Sequence, residues 1–152
     1  MTIMLDAFIQ PFTLTILISL IVLFALLFFS AMISGSEIGF FALTPQHLDR
    51  LRDAKSGVSA LILKLLESPN RLLATILIAN NFVNVAIVIL STFIASEWFN
   101  LQSFPILSFV VQVIVITALI LLLGEIIPKM YASVHPVSFS KGMAGVLNIL
   151  IK

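Results

Sequence analysis

The chain has no cysteine, one tryptophan, one tyrosine, and only seven acidic and eight basic residues among 152. Without thiols there is no disulfide frame, no thiolate metal site and no thiol redox chemistry. Charged residues make up 10% of the chain, against about 25% in an average soluble domain, too few to coat a water-soluble surface. The net charge of +1 provides no electrostatic footprint for nucleic acid. The two histidines, His47 and His135, lie outside the long apolar runs and read as surface residues. No nucleophile stands beside a base, so nothing marks an enzyme.

What the chain has is apolar length. It is 61% hydrophobic, and a bilayer is the solvent that such a composition fits. A hydrocarbon core of about 30 Å needs about 20 helical residues. Stretches at about 11–33, 70–95 and 105–127 qualify, while a fourth, about 137–151, is too short to span. The first reads as a retained membrane helix rather than a secretory signal. The preceding Met1 to Gln10 carries Asp6 and no Lys or Arg, and the run exceeds a usual signal core. The chain stops inside an apolar run at Ile149-Leu150-Ile151, with no cap or polar exit. That predicts a membrane domain, 1–152, cut from a longer protein.

Basic residues set the expected orientation. Arg50, Arg52, Lys55, Lys64 and Arg71 follow the first span; Lys129, Lys141 and Lys152 follow the third; the 96–104 connection carries Glu97 and no basic residue. A cell-membrane protein with the 44–71 connection and C-terminus in the cytoplasm, and the N-terminus outside, is expected. Trp98 and Phe99 fit an outer interfacial anchor. The 44–68 connection has its own structure. Thr44-Pro45 reads as a helix start. Leu48 and Leu51 share a face, Gly57 breaks the helix, and Val58, Leu61, Ile62, Leu65 and Leu66 recur at helical spacing. Both pieces are too short to cross and should lie on the cytoplasmic surface or pack on the bundle. Ser68-Pro69 and Phe104-Pro105 open the second and third spans.

Polar residues inside these runs are the functional signal. Glu125 ends an apolar run from Ile106 to Gly124 that is relieved only by small hydroxyls and Gln112. A carboxylate there costs roughly 2.5–3.5 kcal/mol, so it faces an interior and binds something. Pro128 has no N–H, so the helical bond to the Gly124 carbonyl cannot form. Ser30 and Ser34 share one helix face, as do Asn80 and Asn84, with Asn81 between them. Gly35 weakens the first helix beside Ser34. Hydroxyls and amides in membrane helices often serve only as interhelical glue. Glu37 fits a solvated or salt-bridged role at the end of the first span, and Lys129 fits snorkelling to water or headgroups. Together these groups are hard oxygen donors suited to Mg²⁺, Ca²⁺ or Na⁺, and the residues alone do not choose among the three.

At these residues the chain resembles the CorC/CorB/CNNM family of magnesium transport proteins, in its membrane (DUF21) domain. Three blocks carry the resemblance: Ser30-x-x-x-Ser34-Gly35-Ser36-Glu37 followed by Gly39-Phe40-Phe41-Ala42-Leu43; Leu72 through Asn80-Asn81-x-x-Asn84; and Gly124-Glu125-Ile126-Ile127-Pro128-Lys129. Where the family often has glycine before the first asparagine, this chain has Ala79. The resemblance implies an all-α integral membrane fold, with three transmembrane helices, short broken or re-entrant helices and a C-terminal juxtamembrane helix. It implies a homodimer in membrane lipid and a cytoplasmic CBS pair and small C-terminal domain beyond this chain. It implies Mg²⁺ export coupled to inward Na⁺ movement. Its ion-site residues carry over onto Ser30, Ser34, Asn80, Gly124 and Glu125, supported by Asn84 and Pro128. On this reading Glu37 guides the ion inward, and breaks at Gly35 and Pro128 let the site alternate between faces. The same residues would serve a Mg²⁺-binding sensor or scaffold that regulates another transporter. A plain anchor for a soluble domain would show no ion-dependent stabilisation.

Overall fold

Pro45, Pro69, Pro105 and Pro136 each stand at the first residue of a helix. There the missing N–H costs nothing and the fixed φ is already helical. The computed structural model describes residues 13–98 and 105–151, and every regular element in them is helical. In order these are α1 (Leu14–Phe41), α2 (Pro45–Asp53), α3 (Gly57–Leu66), α4 (Pro69–Trp98), α5 (Pro105–Leu119), a π-helical turn (Ile120–Ile126), α6 (Ile127–Val134) and α7 (Pro136–Leu150). The expectations for Met1 to Gln10, the Trp98 and Phe99 side chains, Phe104 and Lys152 lie outside the described residues.

Among the described residues three helical stretches are long and apolar enough to cross a membrane: Leu14–Phe41, Pro69–Glu97 and Phe109–Val134. The last runs through α5, the π turn and α6. At 1.5 Å per residue, α1 is roughly 42 Å long, more than a 30 Å hydrocarbon layer requires. The spans bury little of themselves. Phe24, Phe28, Ile78, Phe82, Ile89, Ile114 and Met130 all face outward, which suits lipid. Two hydroxyls of the second span are satisfied locally: Thr75 donates to the Arg71 carbonyl and Thr92 to the Val88 carbonyl.

α1 is the central element and packs along α4, the π turn, α6 and α7. Two cores result. A small one at mid-span joins Leu27, Ile87, Ile116 and Ile120. The larger lies at the end of the bundle where α2, α3 and α7 gather, around Ile33, Phe40, Leu51, Ile62, Leu72 and Phe139. α7 presents Pro136, Phe139, Ser140, Met143, Ala144 and Leu147 inward, a helical stripe that packs on α1 and α3. Arg71 reaches across and donates to the Ile151 carbonyl at 2.7 Å, satisfying the end of α7.

Three local expectations are corrected. Gly35 does not break α1, which runs unbroken to Phe41. A Cβ at Gly35 would strike the tip of the Phe139 ring, so this glycine lets α7 approach. The break between α2 and α3 falls at Lys55, in the left-handed region at φ 45°. Gly57 is the first residue of α3, where Ser56 accepts from the Ser59 N–H at 3.1 Å as the N-cap. Val58 is exposed, and α3 buries Ser59, Ile62 and Leu65 instead. α2 starts as expected at Thr44-Pro45, and its cap is reciprocal. Thr44 Oγ1 accepts from the His47 N–H, and the Thr44 N–H donates to His47 Nδ1 at 3.3 Å.

Candidate functional site

The third span holds the unusual backbone. In its π turn the Ile127 N–H bonds to the Leu122 carbonyl, five residues back. Such wide turns inside an α-helix are frequent at functional sites. Pro128 follows directly. It can donate neither to Gly124, four residues back, nor to Leu123, five back. With Ile127 committed to Leu122, the Leu123 carbonyl also loses its α-helical donor. The wide turn carries the chain past the proline ring, and the Leu123 and Gly124 carbonyls both lose their α-helical donors. The sequence points to Gly124 alone; the π turn adds Leu123.

Gly124 is buried against α1. A Cβ there would lie 3.0 Å from Ser30 Oγ, so a side chain here would require the serine to give by a few tenths of an ångström. Ser30 is fully buried near the middle of α1. Its hydroxyl donates to Asn84 Oδ1 at 2.7 Å and lies 3.3 Å from Asn80 Oδ1. One hydroxyl carries one proton, and the shorter contact takes most of it. Asn84 then turns its amide nitrogen to Glu125 Oε1, at 3.2 Å. The result is a continuous chain, Asn80–Ser30–Asn84–Glu125, linking all three spans near their midpoints. Asn84, expected only in a supporting role, is the link between the serine and the carboxylate. Asn81 points outward and takes no part.

Ser34 lies one turn beyond Ser30 on α1 and is fully buried, and its Oγ has no partner among the described residues. Ser36, on another face, donates to the Met32 carbonyl at 2.7 Å. Ser34 could make the same back-bond and does not. A buried hydroxyl without a partner costs about 1–3 kcal/mol. Four residues on from Ser30, Ser34 lies on the same face of α1. A second orphan, Ser140 Oγ, sits beside Gly39 where α7 crosses α1.

One ion pair borders the polar seam between the spans. Lys129 Nζ lies 2.8 Å from Glu37 Oε2, each side chain about one-third exposed. Lys129 therefore does not extend away to water as expected; it bridges α6 to α1. Nothing in the sequence pairs residues so far apart. Among the described residues no group of three or more His, Asp or Glu is placed to hold a metal. The donors here are one carboxylate, two serine hydroxyls, two amide oxygens and peptide carbonyls, a hard and mostly neutral set.

The chain is similar to known membrane proteins over most of its length. A family model described as the Cyclin M transmembrane N-terminal domain matches residues 20–152, which include all three polar blocks. A UPF0053 protein of Haemophilus influenzae is 32% identical over 132 residues, covering 87% of this chain and 30% of the relative. The UPF0053 inner membrane protein YfjD of Escherichia coli (strain K12) is 30% identical over 107 residues, covering 70% of this chain and 24% of the relative. The chain thus spans less than a third of the length of either relative. Three apolar spans, a polar seam between them and a family match over nearly the whole length lead to one assignment: the chain belongs to the CNNM family, as its transmembrane domain.

Proposed function

We propose that this domain carries Mg²⁺ across the membrane, with the seam between α1, α4 and the π turn as its transit site. The supporting observation is the part-buried chain Asn80–Ser30–Asn84–Glu125, with the buried, partnerless Ser34 hydroxyl one turn from Ser30. In this arrangement the polar groups satisfy one another. An arriving cation takes the Glu125 carboxylate from the Asn84 amide and adds the oxygens of Ser30, Ser34 and Asn80 and the carbonyl of Gly124. Asn84 and Pro128 position these groups, through the Ser30–Glu125 link and the freed carbonyls. A few neutral donors around one carboxylate suit an ion that keeps part of its water, as Mg²⁺ does.

Export would require a driving force. Moving two charges outward against 100 mV costs about 4.6 kcal/mol, so export needs a driving ion such as inward Na⁺. The proposed setting is an inner membrane, like that of the Escherichia coli relative, with α2, α3 and α7 on the cytoplasmic side by the basic-residue rule. Asn81, exposed at mid-span, supports a homodimer, because an amide facing lipid alone is costly and a second copy can satisfy it. The full relatives are longer, and a cytoplasmic CBS pair would attach beyond α7. On this reading the domain is a transporter rather than an enzyme.

The test is flux in liposomes that hold only this protein. Mg²⁺ should move faster with an opposing Na⁺ gradient, and Glu125→Ala should reduce flux to background with dimerisation intact. Binding without flux would point to a sensor that regulates another transporter. Normal flux in Glu125→Ala would remove the site assignment.

A further inference from the structure

We propose that Lys129 is a tethered cation guarding the approach to the buried oxygens, holding Glu37 until a divalent ion displaces it. This rests on the transit-site reading above. Its own observation is the ion pair Lys129–Glu37 at 2.8 Å, which joins the first and third spans just as the seam does. On α1, Ser30, Ser34 and Glu37 recur at spacings of four and three, so they climb one face. On the third span Lys129 lies one turn beyond Glu125. The pair therefore sits one turn from the seam, on the side where α2, α3 and α7 gather. The partnerless Ser34 lies between Ser30 and Glu37.

Charge gives the pair a role beyond fastening two helices. With the pair closed, Glu37, Lys129 and Glu125 sum to −1. When Lys129 swings off, the two carboxylates present −2 along the path and match a divalent ion. A monovalent ion leaves one carboxylate uncompensated and competes with an ammonium that the chain keeps close at hand. Both side chains are about one-third exposed, so the lysine is not locked in place by packing. Cation binding and ion pairing then oppose each other, and by linkage each weakens the other by the same factor.

Titration calorimetry with MgCl₂ and NaCl on the detergent-solubilised chain tests this. Lys129→Met should tighten Mg²⁺ binding by about tenfold and narrow the preference over Na⁺. Lys129→Arg should restore wild-type values. Glu37→Gln, which keeps the lysine charge but removes its partner, should weaken Mg²⁺ by a similar factor. A pair that merely fastens the helices predicts lower melting temperatures in both variants with Mg²⁺ affinity unchanged. That result, alongside Glu125-dependent binding in the wild type, overturns the guard and leaves the transit site standing. Absence of Glu125-dependent Mg²⁺ binding in the wild type overturns both. Should Lys129→Met fail to fold, Glu37→Gln alone decides, since a purely structural pair leaves its affinity unchanged.

Discussion

At the scale of single residues the site depends on one hydroxyl and one missing methyl. Ser30 joins two asparagines on α4 and faces Gly124 on the third span. Ser30→Ala strips Asn84 Oδ1 of its donor and should cost about 1 kcal/mol of stability by chemical denaturation. Gly124→Ala places a carbon 3.0 Å from Ser30 Oγ. Titration should show weaker cation binding in that variant, with a smaller change in melting temperature, because alanine's helical preference offsets part of the crowding. The donors themselves are legible in sequence. Hydroxyls, amides and a carboxylate inside apolar runs are costly, so each one stands out. Their partners are less legible. Periodicity places Asn80 and Asn84 on one face without saying which of them meets Glu125, and it gives no hint that Lys129 meets Glu37.

At the scale of elements, the π turn and the glycine contacts decide the geometry. Pro128→Ala returns the N–H that Gly124 and Leu123 lack. The turn should then tighten toward α-helix, raising thermal stability while cation binding falls; binding equal to wild type would argue that the wide turn is irrelevant to the site. Gly35→Val forces Phe139 aside and should destabilise the fold by about 1–3 kcal/mol, with Phe139→Leu in the same chain recovering part of the loss. Lys55→Gly relieves the left-handed residue between α2 and α3 and should add about 0.5–1 kcal/mol, the strain removed less glycine's entropy. Sequence reads the helix starts well, because Pro and a preceding Ser or Thr act locally. It misreads Gly35 as a weak point, since a glycine kept for a neighbouring helix looks the same as one kept for flexibility. The π turn leaves no local mark, because leucines and isoleucines fill α and π turns alike.

At the scale of the whole molecule, hydropathy alone divides the chain into spans, since the bilayer acts on every residue alike. α7 is legible only in part. Its length excludes a span, but its place under α1 and α3 comes from the stripe Phe139, Met143 and Leu147, with Phe139 meeting α1 at Gly35 and Gly39. The architecture places a dense apolar core at one end and a sparse, polar-lined middle. The dense end can hold its shape while the middle rearranges around an ion.

The most direct test is thermal unfolding of the solubilised chain against Mg²⁺, for wild type and Glu125→Ala. Ligand at 100 times its dissociation constant stabilises by about 2.7 kcal/mol, a readily measured upward shift. Mg²⁺ should produce that shift in the wild type and none in Glu125→Ala. An equal shift in both would place the ion elsewhere and contradict the site.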